Sequence, residues 1–143
     1  MRPVALGVAV LLLCLSGVQS EEAAEAPSFT YASILKTTTS MGGQALWYEF
    51  EGSTEMDVHV VEIAPGGETG RHSHPYPVIM YVLEGTLVVE LDDGTRVEYG
   101  AGDALIEDAN TWINNLNPGD APSKFVGVLI GPEGAEMVTF AEG

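Results

Sequence analysis

From Tyr31 to Phe140 the chain alternates short apolar runs with clusters of Gly, Pro and Asp, and no stretch sustains a helical period. Asp57 to Ala64 alternates apolar and polar side chains as a half-buried strand does, and Pro65-Gly66-Gly67 ends it. Val78 to Leu83 is a continuous apolar run, separated by a tight turn at Glu84-Gly85 from a second strand, Thr86 to Leu91. Asp93-Gly94 is a hairpin signal that leads to Thr95–Tyr99. Gly100-Ala101-Gly102-Asp103 makes a further turn. The loop Asn117–Pro122 precedes the last strand, Lys124 to Ile130. The pattern predicts an antiparallel all-β barrel or sandwich with a filled interior.

The first twenty residues follow a different rule. Met1-Arg2-Pro3 is a short positive start, Val4 to Gly17 is almost wholly apolar, and Val18-Gln19-Ser20 supplies small residues before the acidic Glu21-Glu22. That layout predicts a signal peptide over residues 1–20 and an exported protein, periplasmic or secreted. The apolar stretch is short of the roughly 20 residues that cross a bilayer, so no membrane association is expected after cleavage. Residues 21–29 read as a flexible acidic lead-in, and residues 30–143 as one domain.

Composition narrows the partners. The formal net charge is −16, with 21 acidic against five basic residues, and loss of Arg2 with the leader deepens it further. Such a surface repels nucleic acid and anionic lipid, and leaves small neutral or cationic molecules and metal ions as ligands. The single cysteine, Cys14, lies in the leader, so the mature chain has neither a thiol nucleophile nor a disulfide.

The candidate chemistry centres on His72-Ser73-His74. Residues two apart on a strand project to the same face, so the two imidazoles enter one space, as the start of a transition-metal site requires. Val78, Met80 and Val82 share one face by parity and line the same interior. Around the pair, Gly66, Pro75 and Tyr81-Val82-Leu83-Glu84-Gly85 stand at fixed distances. A second block, Gly100-Ala101-Gly102-Asp103, leads to Asn110, Trp112 and Asn117.

These two blocks resemble the cupin family over about residues 56–131. The resemblance implies an antiparallel jelly-roll barrel, commonly a homodimer, with any metal held inside by inward-facing side chains. It also implies two His and a Glu from the first block and one more His from the second. Here the Glu position is Val78 and the second His position is Ile113. Candidates for a replacement are His59, otherwise a partly exposed strand histidine beside Asp57, and Glu107 or Asp108, otherwise a solvated rim. Tyr76 either reaches a ligand at the mouth or packs beside the two prolines. Trp112 either stacks on a ligand or serves as a core or interface aromatic. Turn chemistry accounts for most of Asn110, Asn114, Asn115 and Asn117.

The expected pocket is therefore formed by His72, His74, Val78, Met80, Ile113 and Trp112. The loss of two ligands favours a small-molecule-binding cupin with a degenerate metal site. The alternatives are a metal-dependent oxygenase, isomerase or lyase using His72 and His74 with Fe, Mn, Ni or Zn, and a metal-free acid–base catalyst using one of the histidines.

Overall fold

A computed structural model describes Phe29 and residues 31–142. The leader and most of the acidic lead-in lie outside the described residues. The unit Ala32–Gly143 contains nine strands and, among the described residues, no helix. They are β1 (Thr54–Ile63), β2 (His72–Ser73), β3 (Val78–Glu84), β4 (Thr86–Leu91), β5 (Arg96–Gly100), β6 (Ala104–Glu107), β7 (Ile113–Leu116), β8 (Ser123–Pro132) and β9 (Thr139–Phe140).

The strands form two antiparallel sheets, ordered β1-β8-β3-β6 and β5-β4-β7-β2-β9. This is an all-β antiparallel jelly roll. Sequential strands β3 and β4 belong to different sheets, and the turn at Gly85 carries the chain across. Its φ is 74°, and an added Cβ would come within 2.6 Å of the Pro122 carbonyl oxygen, so only glycine fits there.

Alternation decides what faces the interior. Strand β8 alternates buried and half-buried residues along its whole length, with Ser123, Phe125, Gly127, Leu129 and Gly131 inward. Val78, Met80 and Val82 of β3 and Leu105 of β6 join Phe125 and Leu129 in the core, together with Ile63, Leu87, Val89 and Ile113. These side chains leave water and supply the main drive for the two sheets to pack. On β1 the order is reversed from the usual one. Asp57, His59 and Val61 line the interior cavity, whereas Met56, Val58 and Val60 are exposed.

Two segments outside the expected strands matter to the site. Residues 38–46 form a small antiparallel turn whose Met41 amide bonds to the Ile106 carbonyl at the free edge of β6. At the other end of the chain, β9 pairs with β2, so the C-terminal segment lies beside the histidine pair.

Candidate metal centre

His72 opens the two-residue strand β2, and His74 follows it by two. Both side chains turn inward and are buried, with ring centroids 5.1 Å apart. Each ring is held by a backbone carbonyl. His72 Nδ1 lies 2.7 Å from the Gly70 oxygen, and His74 Nδ1 lies 2.7 Å from the Met137 oxygen. A carbonyl can only accept, so Nδ1 carries the hydrogen in both rings and Nε2 keeps its lone pair. That is the tautomer a metal ligand needs.

The third member comes from β6. Glu107 is 1% exposed, and its Oε2 lies 3.7 Å from His74 Nε2. His72, His74 and Glu107 each offer an atom such that all three lie within 4.8 Å of one another. Glu107 Oε1 accepts a 3.0 Å hydrogen bond from Asn115 Nδ2 on β7. The Asn115 Oδ1 is buried without a protein partner.

Electrostatics follow from burial. Desolvation pushes Glu107 up to about 7, against the Asn115 hydrogen bond, and the nearby Asp108 charge adds to the rise. Desolvation pushes His74 down to about 4, offset in part by the Met137 carbonyl, with His72 and His59 adding to the fall. His72 is lowered for the same first reason, and the Gly70 carbonyl opposes it. Near neutral pH His74 is therefore an uncharged imidazole, so its contact with Glu107 is not an ion pair.

The residues present fit a divalent metal. Two neutral imidazoles with free Nε2 atoms and a buried carboxylate with no cationic partner among the described residues are the donor set of a transition-metal site. Asn115 and the two carbonyls supply the outer hydrogen bonds that such ligands require.

The centre lies on the wall of a cavity of about 290 Å³. Val78, Met80, Phe125, Leu129, Val138 and Phe140 give it a mostly apolar lining, with Asp57 and His59 on the β1 side. Among the described residues no Lys or Arg lines it.

Several expectations need correction. Glu107 and Asp108 are not a solvated rim. Glu107 faces the cavity, and Asp108, 3% exposed, accepts a hydrogen bond from the Ser40 hydroxyl of the N-terminal turn. Ile113 is buried beside His72 in the β2–β7 ladder and packs in the core. The cavity wall on that strand is Asn115, two residues on. Trp112 is outside the cavity, because it lies just before β7 under the Arg71 guanidinium, 4.2 Å from its ring centre. Arg71 is in turn bonded twice to Asp92. Tyr76 packs edge-on against Phe50, with centroids 5.0 Å apart, and also stays outside the cavity.

His59 is the partly exposed strand histidine beside Asp57; it lines the cavity but is not one of the three residues whose ligand atoms converge. Asn115 is not a turn residue but the partner of Glu107. Asn117 remains structural, donating to the Ile63 and Ala121 carbonyls. Sequence reading missed the C-terminal segment, whose Met137 carbonyl orients His74 and whose Phe140 lies 5.7 Å from the His72 ring. Nothing in the residue types of 131–143 signals that role, which depends on a carbonyl and on tertiary pairing.

The sequence model of the Cupin domain family matches residues 59–129, which contain the histidine pair, Glu107 and most of both sheets. The chain belongs to the cupin family. Among curated protein sequences none matches this cupin. It is similar to an uncharacterised conserved protein with a double-stranded β-helix domain from Klebsiella pneumoniae, at 28% identity and a TM-score of 0.53, covering 62% of this chain and 76% of that one. A likeness to the polyketide cyclase RemF from Streptomyces resistomycificus, at 24% identity and a TM-score of 0.52, covers 64% and 65% of the two chains. The oxalate decarboxylase of Lactobacillus farciminis, at 24% identity and a TM-score of 0.52, is matched over 59% of this cupin but only 26% of its own length. These last two likenesses concern the fold.

Proposed function

We propose that this cupin is a metal-dependent enzyme acting on a small neutral or cationic organic molecule, with His72, His74 and Glu107 as the protein ligands. The observation that carries this reading is the buried Glu107 carboxylate, within 4.8 Å of both imidazoles and, among the described residues, without a cation to offset it. An uncompensated buried carboxylate is costly in a folded chain, and a divalent cation beside it removes that cost.

A divalent transition metal bound there supplies Lewis acidity to an oxygen of the molecule in the cavity. The chain's own residues do the rest. The Gly70 and Met137 carbonyls fix the imidazole tautomers, and Asn115 fixes the carboxylate. Val78, Met80, Phe125 and Leu129 keep the wall dry, which strengthens every polar contact made inside. The absence of Lys and Arg from the lining among the described residues disfavours an anionic substrate, since there only the centre itself would balance its charge.

The apolar lining favours a second reading, in which the cavity binds a small molecule without transforming it. Both readings share the metal centre. The first experiment is elemental analysis of protein purified without a histidine tag, beside a His72→Ala/His74→Ala double variant. About one equivalent of Fe, Mn, Ni or Zn, lost in the variant, is the expected result; a metal-free wild type at saturating metal would overturn the reading.

Export and homodimer formation belong to the same proposal. N-terminal sequencing of the mature protein tests cleavage after Ser20. The exposed row Met56, Val58 and Val60 on the edge strand β1 supports pairing with a second copy.

A further inference from the structure

We infer that Asp57 and His59 form an oriented acid–base pair at the cavity, on the β1 wall, suiting the site to a proton-transfer reaction. The inference rests on the cavity being a reaction site, as proposed above, and narrows the chemistry to isomerisation or elimination of a molecule with an ionisable O–H or C–H.

Three observations carry it. First, Asp57 and His59 are two apart on β1, point to the same inward face, and line the same cavity as His72, His74 and Glu107. Second, His59 Nδ1 lies 3.3 Å from Asp57 Oδ2 and, though buried, makes no hydrogen bond among the described residues. The contact is off the line of a hydrogen bond, and the Asp57 side chain, 58% exposed, is free to turn onto it. Asp57 then holds the hydrogen on Nδ1 and leaves Nε2 as the basic atom.

Third, the opposite strand makes room for this ring. His59 pairs with Gly127 of β8, and Gly127 pairs with Met80 of β3. Along the inward face of β8, Phe125 and Leu129 fill the cavity wall on either side of this glycine. A Cβ on residue 127 would come within 2.5 Å of His59 Nε2. The backbone φ of Gly127 is not in the left-handed region, so the glycine is explained by the imidazole it accommodates and not by a turn.

The step balances without an outside oxidant. His59 Nε2 takes a proton from the O–H or C–H, and the bonding pair stays on the molecule. In an isomerisation that pair shifts to a neighbouring bond and the imidazolium returns the proton to another atom of the same molecule. In an elimination the pair becomes the new double bond, the bond to the leaving group breaks with its electrons going to that group, and the imidazolium protonates it. The imidazolium charge faces Asp57 in either case. His59 is thus the acid–base group, and Asp57 is its positioning residue.

The test is ¹⁵N NMR of the imidazoles in zinc-loaded protein, with metal content measured on the same samples, for wild type, Asp57→Asn and His59→Gln. The expected result is a His59 ring hydrogen-bearing at Nδ1 and unprotonated at Nε2 in wild type. In Asp57→Asn the ring should shift toward the Nε2–H form that prevails in free imidazole side chains. His59→Gln should keep its zinc. An unchanged His59 tautomer in Asp57→Asn would overturn the pair, and loss of zinc in His59→Gln would make His59 a ligand instead. If wild type takes up no zinc, the metal reading fails separately, and the tautomer comparison on the metal-free protein still decides the pair.

Discussion

Val78 and Glu107 stand directly opposite one another on β3 and β6, as cross-strand partners whose side chains both line the cavity. Opposed residues in an antiparallel pair have Cβ atoms only about 5 Å apart. The resemblance to metal-bearing cupins expects a carboxylate at position 78. In this chain the carboxylate enters the same space from the neighbouring strand, and Val78 supplies the apolar contact in its place. Glu107 thereby reaches His74, and the second-block position vacated by histidine can be an ordinary core residue, Ile113.

Metal uptake should depend on pH through Glu107. Its carboxyl, raised to about 7 by burial, must lose its proton before it can bind a cation, whereas His74, lowered to about 4, is already free of its proton. Apparent affinity for Zn(II) should therefore fall by roughly tenfold per unit as pH drops below 7. Calorimetric titrations between pH 6 and 8 read this directly, and a flat profile would count against Glu107 as a ligand.

The metal-free protein should be stabilised by Glu107→Gln at alkaline pH. The folded state keeps the Glu107 proton to about 7, while an unfolded chain releases it near the usual carboxylate value of 4.5. The native state thus binds more protons in that window, so stability falls as pH rises through it, and the loss is complete above 7. His74 acts in the opposite sense. The unfolded chain takes up its proton near 6.5 and the native ring only near 4, so its contribution is present above 6.5 and lost as pH falls toward 4. At pH 8 only the Glu107 cost remains. Thermal melts should show the variant above metal-free wild type by roughly 5 °C, and the order should reverse when Zn(II) is added.

Asn115→Ala should weaken the centre without touching a ligand. It removes the 3.0 Å bond that fixes Glu107 Oε1. Loss of such an outer partner typically costs about 10–100-fold in metal affinity. An unchanged dissociation constant would show that the carboxylate needs no support from β7.

Val58→Glu should abolish self-association while leaving metal binding intact. Val58 is exposed at the middle of the outward apolar row of β1, and its inward neighbours Asp57 and His59 are unaffected by parity. Sedimentation measurements should show a dimer for wild type and a monomer for the variant. A monomeric wild type would remove the second copy as a partner.

The strands were legible where local pattern and turn chemistry agree. Asp93-Gly94 and the Val78–Leu83 run gave β3, β4 and β5 almost to the residue, and the two cupin blocks gave the jelly roll. Glu107 was visible only as one carboxylate among 21, because its meaning depends on the β3–β6 register that places it opposite Val78. The Met137 carbonyl has no side-chain signature at all, and the two-residue β9 is too short to show a period. Gly127 could have been noticed as a glycine inside a strand, a known mark of close approach, but its partner His59 is 68 residues earlier in the chain.

The most direct test of the account exchanges the carboxylate across the ladder. Metal content would be measured by elemental analysis for tag-free wild type, Glu107→Val, and the double exchange Val78→Glu/Glu107→Val. The account predicts about one equivalent of metal in wild type, none in the single variant, and recovery in the exchange. Full metal content in Glu107→Val would contradict it.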